Sequence, residues 1–370
     1  MTHHLPFLCD QTAFSRPKTR IDALNRYTNI TSSLILTADE EDAARRCVEG
    51  LPSMILDAHV HLSRKCAFRG FTPSVRKHVG STFAWFEDAL LRNAMGALLP
   101  GMTTNAIVLP HPYPGIDHRD GNQYVVECAK RIGVFPVMLA DYSDRDYSIS
   151  ALTSGHYVAV KVYPALWCRE EGQGWLPAWL ASACASVGLP IVVHPLTRLP
   201  DFAGSLCCVC RRWPKLKIVV AHMGLQYLAG DDTKCAFEAV SHFANVYFDS
   251  SMVTDIRVFE AALRALGPDR VMFGSDLPIS LIRARYVYHP HRGVRLATAA
   301  AYHWVDPAEQ EEYASLASGA IQIYLQTTAA LKEAVMSSGY GRNGLDLVFR
   351  DNAMTLYGNG AASYLLPFQL

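Results

Sequence analysis

The sequence predicts a (β/α)8 TIM barrel carrying an N-terminal extension and a long C-terminal helical segment. Three observations lead there. Apolar runs of strand length alternate with helix-like stretches eight times over about 230 residues. Most runs are continuous in Val, Ile and Phe, as parallel strands covered on both faces must be. Several end on a histidine, a lysine or an aspartate, at the place where barrel enzymes keep their active sites. The structural rival, a doubly wound sheet, advertises a glycine-rich turn after its first strand, and none follows His61.

Thr37–Cys47 has an N-cap residue, early acids and late bases, which predicts a helix leading into the first strand. Strand 1 is the run Ser53–Leu62. The polar, basic stretch Ser63–Gly80 is too long for a tight connection, and such loops are more often functional than idle. A helix over about 82–94 follows. Further strands are expected at Thr104–Leu109, Val134–Leu139, Tyr157–Tyr163, Leu189–His194, Lys217–His222, Val246–Ser250 and Arg270–Asp276. Between them the spacing predicts helices over Asn122–Ile132, Tyr147–Thr153, Leu176–Val187, Phe202–Arg212, Lys234–Phe243 and Asp255–Leu266. Beyond lie Leu277–Trp304 without a motif, a helical stretch over about 306–336, a glycine-rich turn at Ser338–Gly344 and a last helix near Asp351–Tyr357.

The bulk properties fit this plan. The chain has 370 residues, half of them hydrophobic and 18% charged, enough for one large barrel or two small domains. Lys plus Arg equals Asp plus Glu at 34 each, so no net field steers it to nucleic acid or an anionic membrane. No apolar run reaches the roughly 18 residues of a membrane helix. Met1–Pro6 lacks a basic region followed by an apolar stretch, so no signal peptide is expected. Ten scattered cysteines suggest buried thiols in a reducing compartment, and the cytoplasm is the expected location. The expected division is an extension and lead-in helix over 1–50, a barrel over 51–358, and a tail over 359–370. Within the barrel, 277–350 is expected to cover the mouth or to make an interface such as a homodimer's.

The strand ends define the candidate site. His59 and His61, two apart on one strand, project together. Lys161 lies in strand 4; His194 ends strand 5, His222 strand 6 and Asp276 strand 8. Each has a bland reading alone, but four histidines, a lysine and an aspartate at one end of a barrel converge on one pocket. Two neutral imidazoles on one edge suit a divalent metal. Such an ion with an open position lowers the pKa of a bound water to about 7 and polarises a carbonyl.

This order of strand-end residues resembles the amidohydrolase superfamily, and most closely its family 2 branch. The likeness runs from about Ile55 to Tyr357. It rests on Asp57–His61, His194-Pro195, Ala221-His222-Met223-Gly224, Pro268–Asp276 and the closing Asn352-Ala353-Met354-Thr355-Leu356-Tyr357-Gly358. The resemblance implies that His59, His61, His194 and Asp276 bind one divalent metal, zinc first, with manganese or a second ion as alternatives. It also implies that His222 activates or orients water in one-metal members and is a ligand of the second ion in two-metal members. Lys161 is expected to stay a free amine that contacts substrate, the alternative being a carboxylated bridge between two ions. The activity implied is metal-dependent hydrolysis of an amide, cyclic amide or lactone-type bond in a small polar molecule. Non-oxidative decarboxylation or hydration on the same site is the rival, and a non-catalytic metal-binding barrel the third reading.

Softer candidates surround this set. His111, Tyr113 and Asp117 follow strand 2 in a proline-rich loop at the mouth, with His111 the first choice for substrate contact. Arg283 and Arg285 are candidates to clamp a substrate carboxylate. Trp167, Trp175 and Trp179 are expected to pack around strand 4 or to form an aromatic wall. Cys207 and Cys210 make a lone C-x-x-C inside a helix and read as buried thiols. His289, His291 and His303 have no assignable partner.

Overall fold

A computed structural model describes residues 34–64, 86–112, 117–167, 174–298, 305 and 307–358. Tyr113, His303, the ring of Trp167 and nearly all of the 63–80 loop lie outside the described residues.

The lead-in helix α1 (Ala38–Val48) starts at Thr37, which forms a reciprocal capping box with Glu40. There follow β1 (Met54–Leu62), α2 (Asp88–Leu98), β2 (Thr103–Pro110), α3 (His118–Ile132), β3 (Phe135–Leu139) and α4 (Arg145–Thr153). After β4 (Ala159–Val162) a short helical turn, Pro164–Trp167, precedes α5 (Ala178–Val187) and β5 (Ile191–Val193). The series continues with α6 (Leu199–Arg212), β6 (Ile218–Val220), α7 (Thr233–Val240), β7 (Val246–Asp249), α8 (Ile256–Leu266) and β8 (Val271–Met272).

The eight strands pair in chain order, all in parallel, as the expected barrel requires. The last strand is short, and its extended continuation closes the ring on β1. Ala58 N donates to Phe273 O, Asp276 N to His59 O, and His61 N to Leu277 O, at 2.7–2.8 Å. An inner cluster including Leu56, Ile107, Phe135, Val137, Val192, Val219 and Met272 fills the barrel. The outer faces of the strands pack under the helices in a larger cluster with Val60, Val108, Val160, Val220 and Phe248. Continuous burial on both faces explains why the strands read as unbroken apolar runs.

Beyond the barrel, Leu277–Trp304, where the sequence shows no motif, contains an antiparallel hairpin of β9 (Ala284–His289) and β10 (Gly293–Thr298). The C-terminal segment comprises α9 (Pro307–Tyr313), a 3-10 turn, α10 (Ile323–Ser337), α11 (Gly341–Asp346), a π turn and α12 (Asn352–Tyr357). The glycine-rich stretch expected as a turn at Ser338–Gly344 therefore becomes helical from Gly341. Leu356 and Tyr357 of α12 join the inner cluster and plug it. Among the described residues, no helix is long and apolar enough to cross a membrane.

Candidate active site

The site begins with an irregularity in β1. Its register against β2 shifts between Asp57 and Val60, a bulge of the kind that re-aims side chains. Strict alternation would place Asp57, His59 and His61 on one face. Instead Leu56 and Ala58 belong to the inner cluster, whereas Val60 and Leu62 belong to the outer one. His59 and His61 thus turn to the barrel mouth and Asp57 stays behind them. Asp57 Oδ1 accepts from His59 N at 3.1 Å and from Ser275 N at 2.9 Å, tying β1 to the segment that carries Asp276. Burial pushes the Asp57 carboxyl up to about 7.

Both histidines are held by the nitrogen that faces away from the site. His59 Nδ1 lies 2.9 Å from Asp249 Oδ2, and His61 Nδ1 lies 3.2 Å from Pro110 O. Each partner only accepts, so each Nδ1 carries the proton and each Nε2 presents a lone pair. Those lone pairs meet on one carboxylate oxygen: Asp276 Oδ1 is 3.5 Å from His59 Nε2 and 3.2 Å from His61 Nε2. The ligand atoms of His59, His61 and Asp276 all lie within 4.8 Å of one another, and all three residues are buried. Two nitrogen lone pairs and a carboxylate, oriented from behind by a carboxylate and a carbonyl, are a donor set that fits a divalent metal.

His194 stands outside that three-residue group. Its Nδ1 is 3.1 Å from His222 Nε2. His222 Nδ1 lies 3.2 Å from Ser251 O, an acceptor, and 2.8 Å from Ser251 Oγ. His222 Nε2 is therefore the acceptor for His194 Nδ1–H, which leaves the lone pair of His194 on Nε2. Burial lowers the pKa of His61, His194 and His222, that of His222 to about 4, so all three are neutral imidazoles. Lys161 Nζ is 3.4 Å from His59 Nε2 and 1% of the residue is exposed. Burial pushes its ammonium down to about 8, while Asp249 and Asp276 pull it back up.

The sequence reading passed over Asp249 and Ser251, at the end of β7. Burial opposes the charge of Asp249, yet the His59 and Ser251 contacts hold its carboxyl far below the usual range. Its Oδ1 accepts from His222 N at 2.9 Å, from Ser251 N at 3.2 Å and from Ser251 Oγ, while Oδ2 takes His59 Nδ1. One carboxylate thereby orients both His59 and the backbone of His222. A carboxylate closing an apolar strand run was the available signal.

The backbone is shaped to the same end. His222 and Asp276 both sit in the left-handed region, at φ 57° and 65°, with Met223 and Leu225 beside the former at 48° and 59°. Such conformations cost on the order of 1–3 kcal/mol each and persist where the surroundings over-determine them. Gly274 lets the chain pass between the side chains that matter: a Cβ there would meet His59 Cβ at 3.0 Å and Asp249 Cβ at 3.2 Å.

The softer candidates divide. His111 is buried and its ring stacks on His61 at 4.8 Å, which places it at the mouth. Asp117 is the N-cap of α3. Arg283 does not reach the mouth as a carboxylate clamp: it bonds the buried Glu40 through Nε at 2.8 Å and Nη2 at 2.6 Å, and Ile35 O at 2.8 Å. It ties α1 to the chain after β8. Arg285 is exposed on β9 and reaches Gly319 O at 3.4 Å. Tyr286, between Arg285 and Val287, points the other way and stacks on Tyr227. Trp175 packs against Phe202, and Arg145 lies over Trp179. Cys207 and Cys210 are buried free thiols, with burial raising both pKa values. His289 Nδ1 accepts from His291 N and Arg292 N, closing the hairpin turn.

Solved structures share this fold at low identity. An amidohydrolase from Burkholderia multivorans with bound zinc is 15% identical, with a TM-score of 0.52, over 82% of this chain and 99% of that one. A proposed 2-pyrone-4,6-dicarboxylic acid hydrolase from Pseudomonas putida is 15% identical at a TM-score of 0.51, over 83% and 98%. The 5-carboxyvanillate decarboxylase of Novosphingobium aromaticivorans, in complex with manganese, is 13% identical at 0.51, over 82% and 96%. No curated protein matches in sequence. The model of the amidohydrolase family (Amidohydro_2) matches residues 56–358, so the chain belongs to that family and is an enzyme of the metal-dependent hydrolase and decarboxylase type.

Proposed function

We propose that this chain hydrolyses an amide, cyclic amide or lactone-type bond of a small polar molecule, with one zinc held by His59, His61, His194 and Asp276. The observation that carries the reading is the convergence of His59 Nε2, His61 Nε2 and Asp276 Oδ1, each histidine fixed by its other nitrogen. His194 joins by presenting Nε2, the atom its contact with His222 leaves with a lone pair. A divalent ion supplies an acidified water and a polarised substrate carbonyl.

The chain's own groups do the rest. Asp276 takes a proton from the attacking water as oxygen adds to the carbonyl carbon. When the carbon–nitrogen or carbon–oxygen bond breaks, Asp276 returns that proton to the leaving atom. His222, neutral and fixed through Ser251, presents Nε2 at the site, where it accepts from His194 Nδ1 and would also orient the water in the loaded enzyme. Lys161, a buried amine, binds a substrate oxygen.

Lys161 also favours a second reading, non-oxidative decarboxylation or hydration, because its buried Nζ, 3.4 Å from His59 Nε2, is placed to hold a substrate carboxylate beside the metal site. The structural neighbours include both a hydrolase and a decarboxylase. The test is acid release from dihydrocoumarin, δ-valerolactone and dihydrouracil by zinc-loaded protein, alongside carbon dioxide release from 2,6-dihydroxybenzoate. Metal-dependent ring opening that disappears in Asp276→Asn is the expected result. Carbon dioxide release without any ring opening would transfer the assignment to the second reading.

A further inference from the structure

A cleft of about 420 Å³ opens at the N-terminal ends of β6 and β7, the end of the barrel opposite the mouth, and is lined by Arg211, Lys215, Lys217, His242, Phe243 and Tyr247 among others. One wall is the end of α6 and the turn Pro214-Lys215-Leu216-Lys217 into β6, which puts three of the cations within seven residues. The facing wall is the turn Ser241–Asn245 between α7 and β7. Hydrogen bonds hold the two walls in place. Asn245 Nδ2 donates to Leu216 O at 2.7 Å and Ile218 N to Asn245 O at 2.9 Å, while Arg270 Nη1 donates to Ser241 O at 2.8 Å and Phe243 O at 3.1 Å. No carboxylate lines the cleft. Among the described residues Arg211, Lys215, Lys217 and His242 have no ion-pair partner, whereas Arg198, Arg257, Arg283, Arg292 and Arg350 are all paired. Asp269, the acid felt at Tyr247, is opposed there by Arg270. In a chain with equal numbers of acids and bases this is a local excess of positive charge, and a cleft with low-dielectric walls focuses such a field on an incoming anion. The cations border an aromatic floor: the Arg211 guanidinium is 5.7 Å from the Phe243 ring centroid and the His242 ring is 4.5 Å from it.

We propose that this cleft is a second binding site, for a small phosphorylated organic molecule, with the phosphate on Arg211, Lys215 and Lys217 and the body against Phe243 and Tyr247. A phosphate dianion offers three oxygens to separate donors, where a lone carboxylate would leave two of the three cations uncompensated. The cleft falls within the range of about 300–1,000 Å³ of small-molecule sites and is far larger than a free phosphate ion. The site uses neither the metal cluster nor its chemistry, so it stands apart from the function proposed above.

The test is calorimetric titration of the full-length protein with phenylphosphonate and with inorganic phosphate. Phenylphosphonate should bind about threefold or more tightly than phosphate, because only it reaches the aromatic floor. Replacing both lysines, Lys215→Glu with Lys217→Glu, should weaken it by at least about tenfold. Arg211→Gln alone should weaken it about threefold, and carries the test if the double variant fails to fold. Asp276→Asn should bind it as the wild type does, because Asp276 lies at the other end of the barrel. No phenylphosphonate binding in the wild type, or equal binding in the wild type and the folded cation variants, overturns the proposal. Loss of binding in Asp276→Asn would put the anion on the metal cluster and overturns it too. Phosphate bound as tightly as phenylphosphonate would make the occupant a free ion and overturns the assignment to an organic ligand.

Discussion

Replacing Asp249 by Asn tests how the proposed metal ligands are held. The change is nearly isosteric at a residue with no exposed surface, so packing is preserved and the effect is confined to hydrogen bonding. Oδ1 receives three donors, His222 N, Ser251 N and Ser251 Oγ, and the amide oxygen of Asn must take that position to keep them. The amide NH2 then faces His59 Nδ1 in place of Oδ2, 2.9 Å away. Two donors cannot meet there. His59 must either lose that bond or move its proton to Nε2, the lone pair aimed at Asp276. Loss of such an outer partner typically costs 10–100-fold in metal affinity, or about 1.4–2.8 kcal/mol. The assay is zinc affinity by chelator competition, with the melting temperature of the metal-free protein as control. Wild-type affinity in a folded Asp249→Asn protein would refute the tautomer argument.

Other outcomes follow from the same geometry. His222→Asn should lower kcat by about 10²–10⁴-fold while the protein keeps its metal, whereas Asp276→Asn should lose both, measured on the same samples; a metal-free His222→Asn protein would make His222 a ligand. Lys161→Met should leave the ion count unchanged and reduce turnover by about 10²-fold, and an ion count near two in the wild type with added density on the lysine would show a carboxylated bridge instead. Asp57 supplies a pH dependence. Its folded pKa of about 7 lies above the ordinary 3.8, so between those values the folded state binds more protons than the unfolded one. The stability it contributes is complete below about pH 4 and lost as pH rises through 7. Thermal melts should therefore fall less between pH 4 and pH 7 in Asp57→Asn than in the wild type, and equal slopes would contradict the buried-carboxyl account.

Much of this architecture is legible in the chain because parallel strands buried on both faces leave unbroken Val and Ile runs such as Ile191–Val193 and Ile218–Val220. The site's six strand-end residues were visible for the same reason, since a polar residue closing such a run is conspicuous. Local capping was equally readable at Thr37. What escaped depends on partners far away in sequence. Arg283 offers a free guanidinium on paper, and only the fold brings it to Glu40, 243 positions earlier. The β1 bulge exists because His59 O and Ala58 N must meet the chain after β8, a contact no local pattern encodes. The hairpin lacks the Asn-Gly or Asp-Gly turn that marks short hairpins, although Tyr286-Val287-Tyr288 consists of the aromatic and β-branched residues that strands favour. Asp249 escapes the strand-end rule because the apolar run is read one residue further, to Ser250, whereas β7 ends on Asp249 itself.

The most direct test of the central claim is the ion content of the purified protein by elemental analysis, for the wild type, His59→Ala and Asp276→Ala. The account predicts about one divalent ion per chain in the wild type and loss of most of it in either variant. A wild type that carries no ion and takes up neither zinc nor manganese would contradict it.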